Sequence, residues 1–254
     1  MNRLRAVLSA FALTVTVLSA PAPAAAAPAA PTPAQVPAPA QVPADGAVGD
    51  DARKERPAVC TGEFQGDARL GPKYLPRPQQ KPVGPLLKGY QRTGGLSPKA
   101  FLATYWKDEG PEGPGGWKYP PNDGFAEVNG TVDKHVEVLE PGEKLDRFGS
   151  EYGSYLAPAG DPYAQRALPP QNLNTREPAY PCDYHLYVVT RPFPVWQGSI
   201  APWFGQPGGG QQIKLDAALL DPGEGQRLNV KWLLAEGYLA PAAGSASASA
   251  SAAR

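Results

Sequence analysis

Hydrophobic and polar residues alternate over several short stretches in the C-terminal half of the chain. The clearest is Tyr184-His185-Leu186-Tyr187-Val188-Val189, whose aromatic and β-branched residues follow the two-residue period of a strand. The same pattern, less regular, predicts strands at residues 136–139, 143–149, 155–156 and 195–200, and Ile213-Lys214-Leu215 follows the glycine loop.

Helical periodicity is confined to short stretches. Ser97 is a suitable N-cap, Pro98 suits the first helical position, and the large side chains that follow lie on one face, which predicts a helix over residues 97–106. A second short amphipathic helix is expected over residues 229–237, with Gly237 as its stop, and residues 163–166 are expected to form one helical turn before Pro169-Pro170. Strands and helices do not alternate along the chain. The pattern therefore predicts an α+β fold with a mostly antiparallel sheet and few short helices, and leaves open whether that sheet is split.

The composition of the two ends sets the expected domain boundaries. Arg3 and Arg5, an apolar run from residue 6 to 20 and the small residues around Ala27 are typical of a secretory signal peptide over residues 1–27, with an uncleaved anchor as the alternative. Pro- and Ala-rich residues 28–57 are typical of an extended linker, and the Ser/Ala-rich residues 241–254 of a disordered tail. A small irregular N-terminal region is expected over residues 58–106 and the main domain over residues 107–240. We expect the mature protein to be secreted after cleavage near Ala27.

Charge and cysteine content narrow the function further. The chain has 24 basic and 24 acidic residues, so its bulk charge indicates neither nucleic acid nor a membrane surface as a partner. In an oxidising compartment Cys60 and Cys182 are expected to form a disulfide, which the chain-entropy model values at about 4–5 kcal/mol as an upper limit. The two cysteines and two histidines have no metal-ligand spacing, so no metal site is expected.

Residues 198–210 combine two aromatic residues, several glycines and one uncharged polar side chain, Gln206. Glycine allows a ligand to approach the backbone closely, but glycine and proline also mark ordinary turns. From this stretch alone, a ligand-binding loop and a tight turn between two strands are both open.

Five motifs occur together in the order that one known family shows. They are Tyr119-Pro120-Pro121-Asn122-Asp123-Gly124-Phe125, Leu145-Asp146-Arg147-Phe148-Gly149, residues 163–170, Tyr184-His185-Leu186-Tyr187 and residues 201–210. Over about residues 117–239 the chain resembles the tuberculosis necrotizing toxin (TNT) domain. The upstream block from Cys60 to the helix at residues 101–103 is more similar to the secreted surface NADases of fungi.

The resemblance implies a secreted enzyme, an NAD⁺ glycohydrolase that cleaves NAD⁺ or NADP⁺ into nicotinamide and ADP-ribose or its phosphate, with no cofactor or metal in the chemical step. By position in the motifs, it implies that Arg147 and Gln206 are the catalytic residues. The residues that it suggests for substrate binding are Phe148, Tyr155, Gln165, Arg166, His185, Trp203 and Phe204. Some members of the family bind a structural calcium ion and form homodimers. Both stay open for this chain, with Asp216, Asp221 and Glu224 in the corresponding region for calcium. An immunity protein, with which bacterial toxin members are paired, has no support in this sequence.

The residues suit this chemistry. Nicotinamide leaves as a neutral molecule, so the reaction needs no general acid; it needs orientation, desolvation and stabilisation of a positively charged ribose. The fork of Arg147 is suited to bidentate binding of a diphosphate, and the Gln206 amide to a ribose hydroxyl or water, so Gln206→Ala is expected to abolish most turnover with the fold intact.

Each of these residues also has a structural interpretation. Arg147 could pair with Asp146 or another neighbour, and Gln206 could brace its loop. Trp203 and Phe204 could belong to the core, and His185 could be packed in a strand. For the whole protein, the alternatives to NAD⁺ hydrolysis are ADP-ribosyl transfer to a protein and a non-catalytic exported binding module with the same fold.

Overall fold

A computed structural model describes residues 57–110 and 113–243 of the 254-residue chain. The predicted signal peptide lies outside the described residues, as do the predicted linker up to residue 56 and the predicted tail from residue 244 onwards. The predicted boundaries between these segments are therefore not tested.

Thirteen strands lie within the described residues. In chain order they are β1 (Thr61–Glu63), β2 (Pro72–Tyr74), β3 (Trp106–Lys107), β4 (Gly116–Trp117), β5 (Glu127–Val128), β6 (Thr131–Val132), β7 (His135–Leu139), β8 (Lys144–Phe148), β9 (Tyr155–Pro158), β10 (Tyr184–Val189), β11 (Phe193–Ser199), β12 (Gln211–Lys214) and β13 (Leu239–Pro241). Seven of them form the main sheet in the order β13-β10-β8-β9-β12-β11-β7, and every pairing in it is antiparallel.

Strand β9 joins the two halves of the main sheet with different parts of its length. Ala157 and Pro158 pair with β8, whereas Tyr155 and Leu156 pair with β12. Past Asp146, β8 therefore pairs only with β10 on its other side, and the sheet opens between the C-terminal end of β8 and the N-terminal end of β9. This is the split that the sequence left open.

The part of the chain that the structure describes also contains three short α-helices, so the predicted α+β class is confirmed. They are α1 (Val83–Leu86), α2 (Pro98–Tyr105) and α3 (Val230–Ala235), accompanied by single 3₁₀ turns that include Asn122–Gly124 and Tyr163–Arg166. The Ser97 hydroxyl caps α2 by accepting from the Ala100 amide, and the Asn229 side chain caps α3 by accepting from the Trp232 amide. Helix α2 thus begins at its predicted N-cap, and α3 begins one residue into the predicted range 229–237.

The core lies in three clusters. The largest lies between the sheet and α3 and includes Leu145, Tyr187, Val195 and Leu233. A second packs Phe148, Tyr163 and Tyr184 against the N-terminal region. The third places Phe101 of α2 against Phe204, with Leu70 beside them. The N-terminal region is thus packed on the sheet through two separate clusters.

The predicted disulfide between Cys60 and Cys182 is formed, and it joins the N-terminal region to the segment just before β10. Both cysteines are buried in the second core cluster. Within residues 57–110 and 113–243, no helix is long and apolar enough to span a membrane.

Candidate active site

A cavity of about 560 Å³ lies where β8 and β9 separate. Asp146, Arg147 and Phe148 of β8 form one side, and Tyr155, Leu156 and Ala157 of β9 form another. The remaining lining comes from residues 119–124, from residues 166–168 and Asn172, and from Ile200 and Gln212. The cavity is therefore a direct consequence of the way β9 switches partners.

Arg147 is held in this cavity by the backbone of the loop that follows β8 and of the first residue of β9. Its Nε donates to the Ser150 carbonyl at 2.8 Å and its Nη1 to the Tyr155 carbonyl at 2.6 Å. The guanidinium lies directly over Gly153, where an added Cβ would be 1.8 Å from Nη2. Only a glycine at position 153 leaves room for this arrangement.

The charge of Arg147 is not neutralised by a neighbour. Burial lowers the pKa of Arg147, while Tyr187, Asp183 and Tyr119 act in the opposite direction. Among the described residues no carboxylate forms an ion pair with it, and its Nη2 has no hydrogen-bond partner. An arginine remains charged even when it is partly buried, so this Nη2 is available to an anionic ligand.

Asp146 pairs with Arg166 and not with Arg147. The Arg166 guanidinium binds both carboxylate oxygens of Asp146, with Nη2 at 2.9 Å from Oδ2, and both side chains are almost fully buried. The Tyr184 hydroxyl and the Gly160 amide also donate to Asp146 Oδ2. Arg166 uses its remaining donors on the Asp161 carbonyl and packs over Phe148. This pair fixes the cavity floor, and its charges cancel.

Residues 119–124, which we call the front wall, close the cavity opposite β8. Asn122, Asp123 and Gly124 have φ values of 56°, 56° and 89°, a left-handed run that asparagine, aspartate and glycine tolerate best. Strand β12 holds this run in place: Gln212 Nε2 donates to the Asp123 carbonyl at 3.0 Å, and Lys214 Nζ lies 2.8 Å from Asp123 Oδ2. At the other end of the wall, the Tyr119 ring packs edge-on against Phe204.

Gln206 does not line the cavity. It lies in the glycine turn, residues 203–206, with only 4% of its surface exposed, and its Nε2 donates to the Gln91 carbonyl of the N-terminal region and to the Phe204 carbonyl. Gly205 of this turn packs directly on Gly94, where an added Cβ would be 2.7 Å from the Gly94 Cα. The glycine turn is thus a place where the N-terminal region attaches to the rest of the domain.

His185 lies opposite Arg147 in the pairing of β10 with β8, but it does not line the cavity. Its ring is buried against Tyr180, with centroids 4.2 Å apart. Nε2 is 3.4 Å from Asp183 Oδ1 and Nδ1 is 3.6 Å from Glu151 Oε1. These surroundings are those of a packed histidine between two acidic residues.

Of the predicted site residues, the cavity brings together Arg147, Phe148, Tyr155 and Arg166. Trp203 and Phe204 belong to the aromatic cluster of α2, and Gln165 is exposed and contributes its carbonyl to the Gly210 amide. The lining residues that the sequence analysis did not select include Tyr119, Asp123, Asp146, Asn172 and Gln212. A signal existed for Asp123, since an Asp before Gly in a family motif is suited to a left-handed turn, but nothing local indicated Gln212.

The described residues contain no group of three or more His, Cys, Asp or Glu side chains placed to hold a metal ion. Asp216 lies in the region where the family resemblance left a calcium ion open. It accepts hydrogen bonds from the Trp196 indole and the Ala218 amide. Asp221 accepts from the Gly223 amide.

These features define a class of protein: an α+β domain whose candidate site is a cavity at the split of an antiparallel sheet. Residues 138–242 match the model of the family described as Tuberculosis necrotizing toxin. The predicted resemblance to the TNT domain is thus confirmed, and the matched residues carry Arg147, Tyr155 and Gln212. The front wall lies before them.

The chain is also 49% identical over 151 residues to the conidial surface nicotinamide adenine dinucleotide glycohydrolase nadA of Aspergillus fumigatus. This match covers 58% of the chain and spans 62% of the relative's length. Among solved structures, the chain is similar to tuberculosis necrotizing toxin in complex with its immunity factor IFT, at 26% identity, a TM-score of 0.43, and coverage of 57% of this chain and 71% of that one. It is also similar to Tse6 in complex with Tsi6, at 24% identity, a TM-score of 0.24, and coverage of 34% and 66%.

Proposed function

We propose that the protein is a glycohydrolase that cleaves the nicotinamide–ribose bond of NAD⁺ or NADP⁺ and releases nicotinamide and ADP-ribose or its phosphate. The observation that carries this proposal is the unpaired charge of Arg147 inside a cavity with aromatic side chains. A dinucleotide offers both a diphosphate for the arginine and planar rings for Phe148, Tyr155 and Tyr119. The name of the Aspergillus fumigatus relative supports the same reaction.

The chemistry fits what the cavity provides. When the C1′–N bond breaks, both electrons leave with the ring nitrogen, nicotinamide departs neutral, and positive charge develops on the ribose. Water then bonds to C1′ and loses a proton to the solvent. No general acid is required, which agrees with the satisfied hydrogen bonds of Asp146, a carboxylate that is already bound to Arg166. The protein's task is to orient the ribose, exclude bulk water and place charge near C1′.

The geometry changes the roles that we assign to two residues. Arg147 donates Nε and Nη1 to backbone carbonyls, so we propose that it binds the diphosphate through Nη2 alone and not as a bidentate fork. We further propose that Gln212, which lines the cavity, performs the polar role expected of Gln206. Gln206 then serves to hold the glycine turn on the N-terminal region.

We infer that the protein is exported and that the signal peptide is removed near Ala27. The buried Cys60–Cys182 disulfide supports this, since such bonds persist in oxidising compartments. We also retain the proposed domain division at residues 106 and 107. Contacts do cross this division, since the amide of Lys118, the residue before the front wall, donates to the Tyr105 carbonyl of α2.

The test is to incubate the purified, disulfide-bonded full chain with NAD⁺ and to measure free nicotinamide and ADP-ribose by chromatography. Equal release of both products supports the proposal. Nicotinamide without free ADP-ribose would favour transfer to a protein or cyclisation. No release from a folded sample would contradict the proposal and favour a binding module.

A further inference from the structure

Two carboxylates line the cavity, and they differ in how fully the protein satisfies them. Asp146 is fully buried and accepts hydrogen bonds from Arg166, Tyr184 and the Gly160 amide. Its charge is cancelled by the buried guanidinium. It has no capacity left for a ligand.

Asp123 is in the opposite situation. Its side chain is 44% exposed, its Oδ2 is bound to Lys214 Nζ at 2.8 Å, and its Oδ1 has no hydrogen-bond partner among the described residues. Lys214 itself does not line the cavity. The carboxylate is therefore held from outside the cavity by one oxygen, while its other oxygen has no partner in the protein.

The position of this carboxylate is strongly constrained. Gln212 fixes the Asp123 carbonyl, and the Gly124 carbonyl accepts from the Ala201 amide at 2.9 Å. The left-handed φ of Asp123 and the preceding Pro120-Pro121 further limit the conformations of the front wall. These contacts hold the backbone of Asp123 in one conformation on the cavity wall.

Arg147 and Asp123 therefore both line the cavity, and each has one polar atom, Nη2 and Oδ1, without a hydrogen-bond partner among the described residues. The oxidised dinucleotide of the proposed function has the matching pair of charges, an anionic diphosphate and a cationic pyridinium ring. The reduced dinucleotide has the same diphosphate and a neutral ring. A carboxylate that faces the ring distinguishes the two by charge alone.

We propose, on the basis of the proposed function, that Asp123 contacts the cationic nicotinamide ring and selects the oxidised dinucleotide, and that Lys214 is a positioning residue that aims the Asp123 carboxylate. As the C1′–N bond breaks, the positive charge moves from the ring to the adjacent ribose. A carboxylate beside that bond faces positive charge both before and during the reaction.

The experiment measures binding by calorimetry for two dinucleotides that the protein cannot hydrolyse at the glycosidic bond: carba-NAD⁺, which keeps the cationic ring but has a carbocyclic ribose, and NADH. In Asp123→Asn, which keeps the shape and tolerates the left-handed φ, the Kd of carba-NAD⁺ should rise about tenfold and that of NADH by less than about twofold. Asp123→Gly, which also tolerates this φ, should show the same selective loss.

Lys214→Met should raise the Kd of carba-NAD⁺ about threefold, in line with the small free energy of a partly exposed ion pair, and Lys214→Arg should restore it. The double variant Asp123→Asn/Lys214→Met should have the same Kd for carba-NAD⁺ as Asp123→Asn alone, because the lysine acts through the aspartate. The matched control is Lys144→Met, an exposed lysine of β8 outside the cavity lining, which should leave both Kd values unchanged.

Equal weakening of carba-NAD⁺ and NADH in Asp123→Asn would overturn the inference, since it would show a carboxylate that only holds the wall. Unchanged or tighter binding in Lys214→Met would overturn the positioning role. If the native protein binds neither dinucleotide and releases no nicotinamide, the proposed function fails as well. If it hydrolyses NAD⁺ and only the selective loss is missing, this inference alone fails.

Discussion

The front wall at residues 119–124 and the glycine turn at residues 203–206 have similar backbones. The wall has left-handed residues at Asn122 and Asp123 before Gly124, and the turn has a left-handed Phe204 before Gly205. Each also carries a polar side chain, Asp123 in one and Gln206 in the other. Yet the wall faces a cavity, while the turn is pressed against Gly94 of the N-terminal region.

The difference lies in where the polar atoms find their partners. The Gln206 amide nitrogen is used on the Gln91 and Phe204 carbonyls, and the side chain is buried. Asp123 uses one oxygen on Lys214 and keeps the other available. Gln206 Oε1 also has no hydrogen-bond partner among the described residues, but it is buried away from the cavity, whereas Asp123 lies on the cavity wall. A polar atom without a partner therefore marks a candidate site only where a ligand can reach it.

The largest expected effect is that of a change in the glycine turn on the free energy of unfolding of the protein. In Gly205→Ala the new Cβ would be 2.7 Å from the Gly94 Cα, at a φ of 66°. We expect the free energy of unfolding to fall by about 2–5 kcal/mol, the sum of a left-handed alanine and an overpacked contact, as measured by urea denaturation. Gly209→Ala is the control, because Gly209 also has a positive φ but its added Cβ would meet nothing within 4 Å. Equal losses in the two variants would contradict the role of the Gly94 contact.

The next largest expected effect is on catalysis and comes from a change of Arg147 in the cavity. Arg147→Lys should lower kcat/KM for NAD⁺ about 100-fold, because a lysine cannot hold the Ser150 and Tyr155 carbonyls and still present a third donor to the diphosphate. Nicotinamide release at several NAD⁺ concentrations measures this. Thermal unfolding of the variant separates lost function from lost structure. Activity within about threefold of the native protein would exclude Arg147 from the site.

Comparison of two glutamines tests the assignment of roles directly. Gln212→Ala removes a side chain that lines the cavity and holds the Asp123 carbonyl, so kcat/KM should fall about tenfold or more. Gln206→Ala should leave kcat/KM per folded molecule within about twofold and should reduce the free energy of unfolding by about 1–3 kcal/mol, the cost of an unpaired Gln91 carbonyl. The opposite result, an inactive but stable Gln206→Ala, would restore the role expected from the family motif.

The smallest expected effect is that of pH on substrate binding. Loss of contact with water raises the pKa of Tyr119 and of Tyr155 above the usual value. Burial is the largest single influence and lowers the pKa of Lys214, but the hydrogen bond to Asp123 and the charges of Asp123, Tyr155 and Asp216 together raise the pKa overall. These groups thus keep their charge states in mildly alkaline solution, and KM should stay constant within about twofold between about pH 7 and pH 9. A titration of KM with a midpoint near pH 8 would contradict this.

The parts of the fold that could be predicted are those that neighbouring residues determine. Ser97 and Asn229 cap helices because a capping side chain acts on an amide three residues away. Strand β10 was predicted with its observed bounds because one face of its alternating pattern is buried. Arg147 and Phe148 were found through the family motif at residues 145–149, and Tyr155 through the family resemblance outside the five motifs.

The remaining features depend on contacts between distant parts of the chain. Gln212 reaches the cavity only because β12 pairs with the N-terminal end of β9, and it bonds to a residue 89 positions away. Gln206 was placed in the site by its position in a family motif, since residues 198–210 alone left a ligand loop and a tight turn both open. Nothing in residues 198–210 shows that Gly94 and Gln91 occupy the space next to it.

The disulfide between Cys60 and Cys182 makes a covalent ring of most of the folded chain. The ring contains the front wall and strands β7, β8 and β9, and therefore Asp123, Arg147 and Tyr155. A protease that cuts once between residues 61 and 181 opens the ring but releases no fragment, because the two new ends stay joined through sulfur. Two cuts are needed before these cavity residues can separate from the rest of the protein. In surroundings that contain proteases, loss of the site by this route then depends on two independent cleavage events.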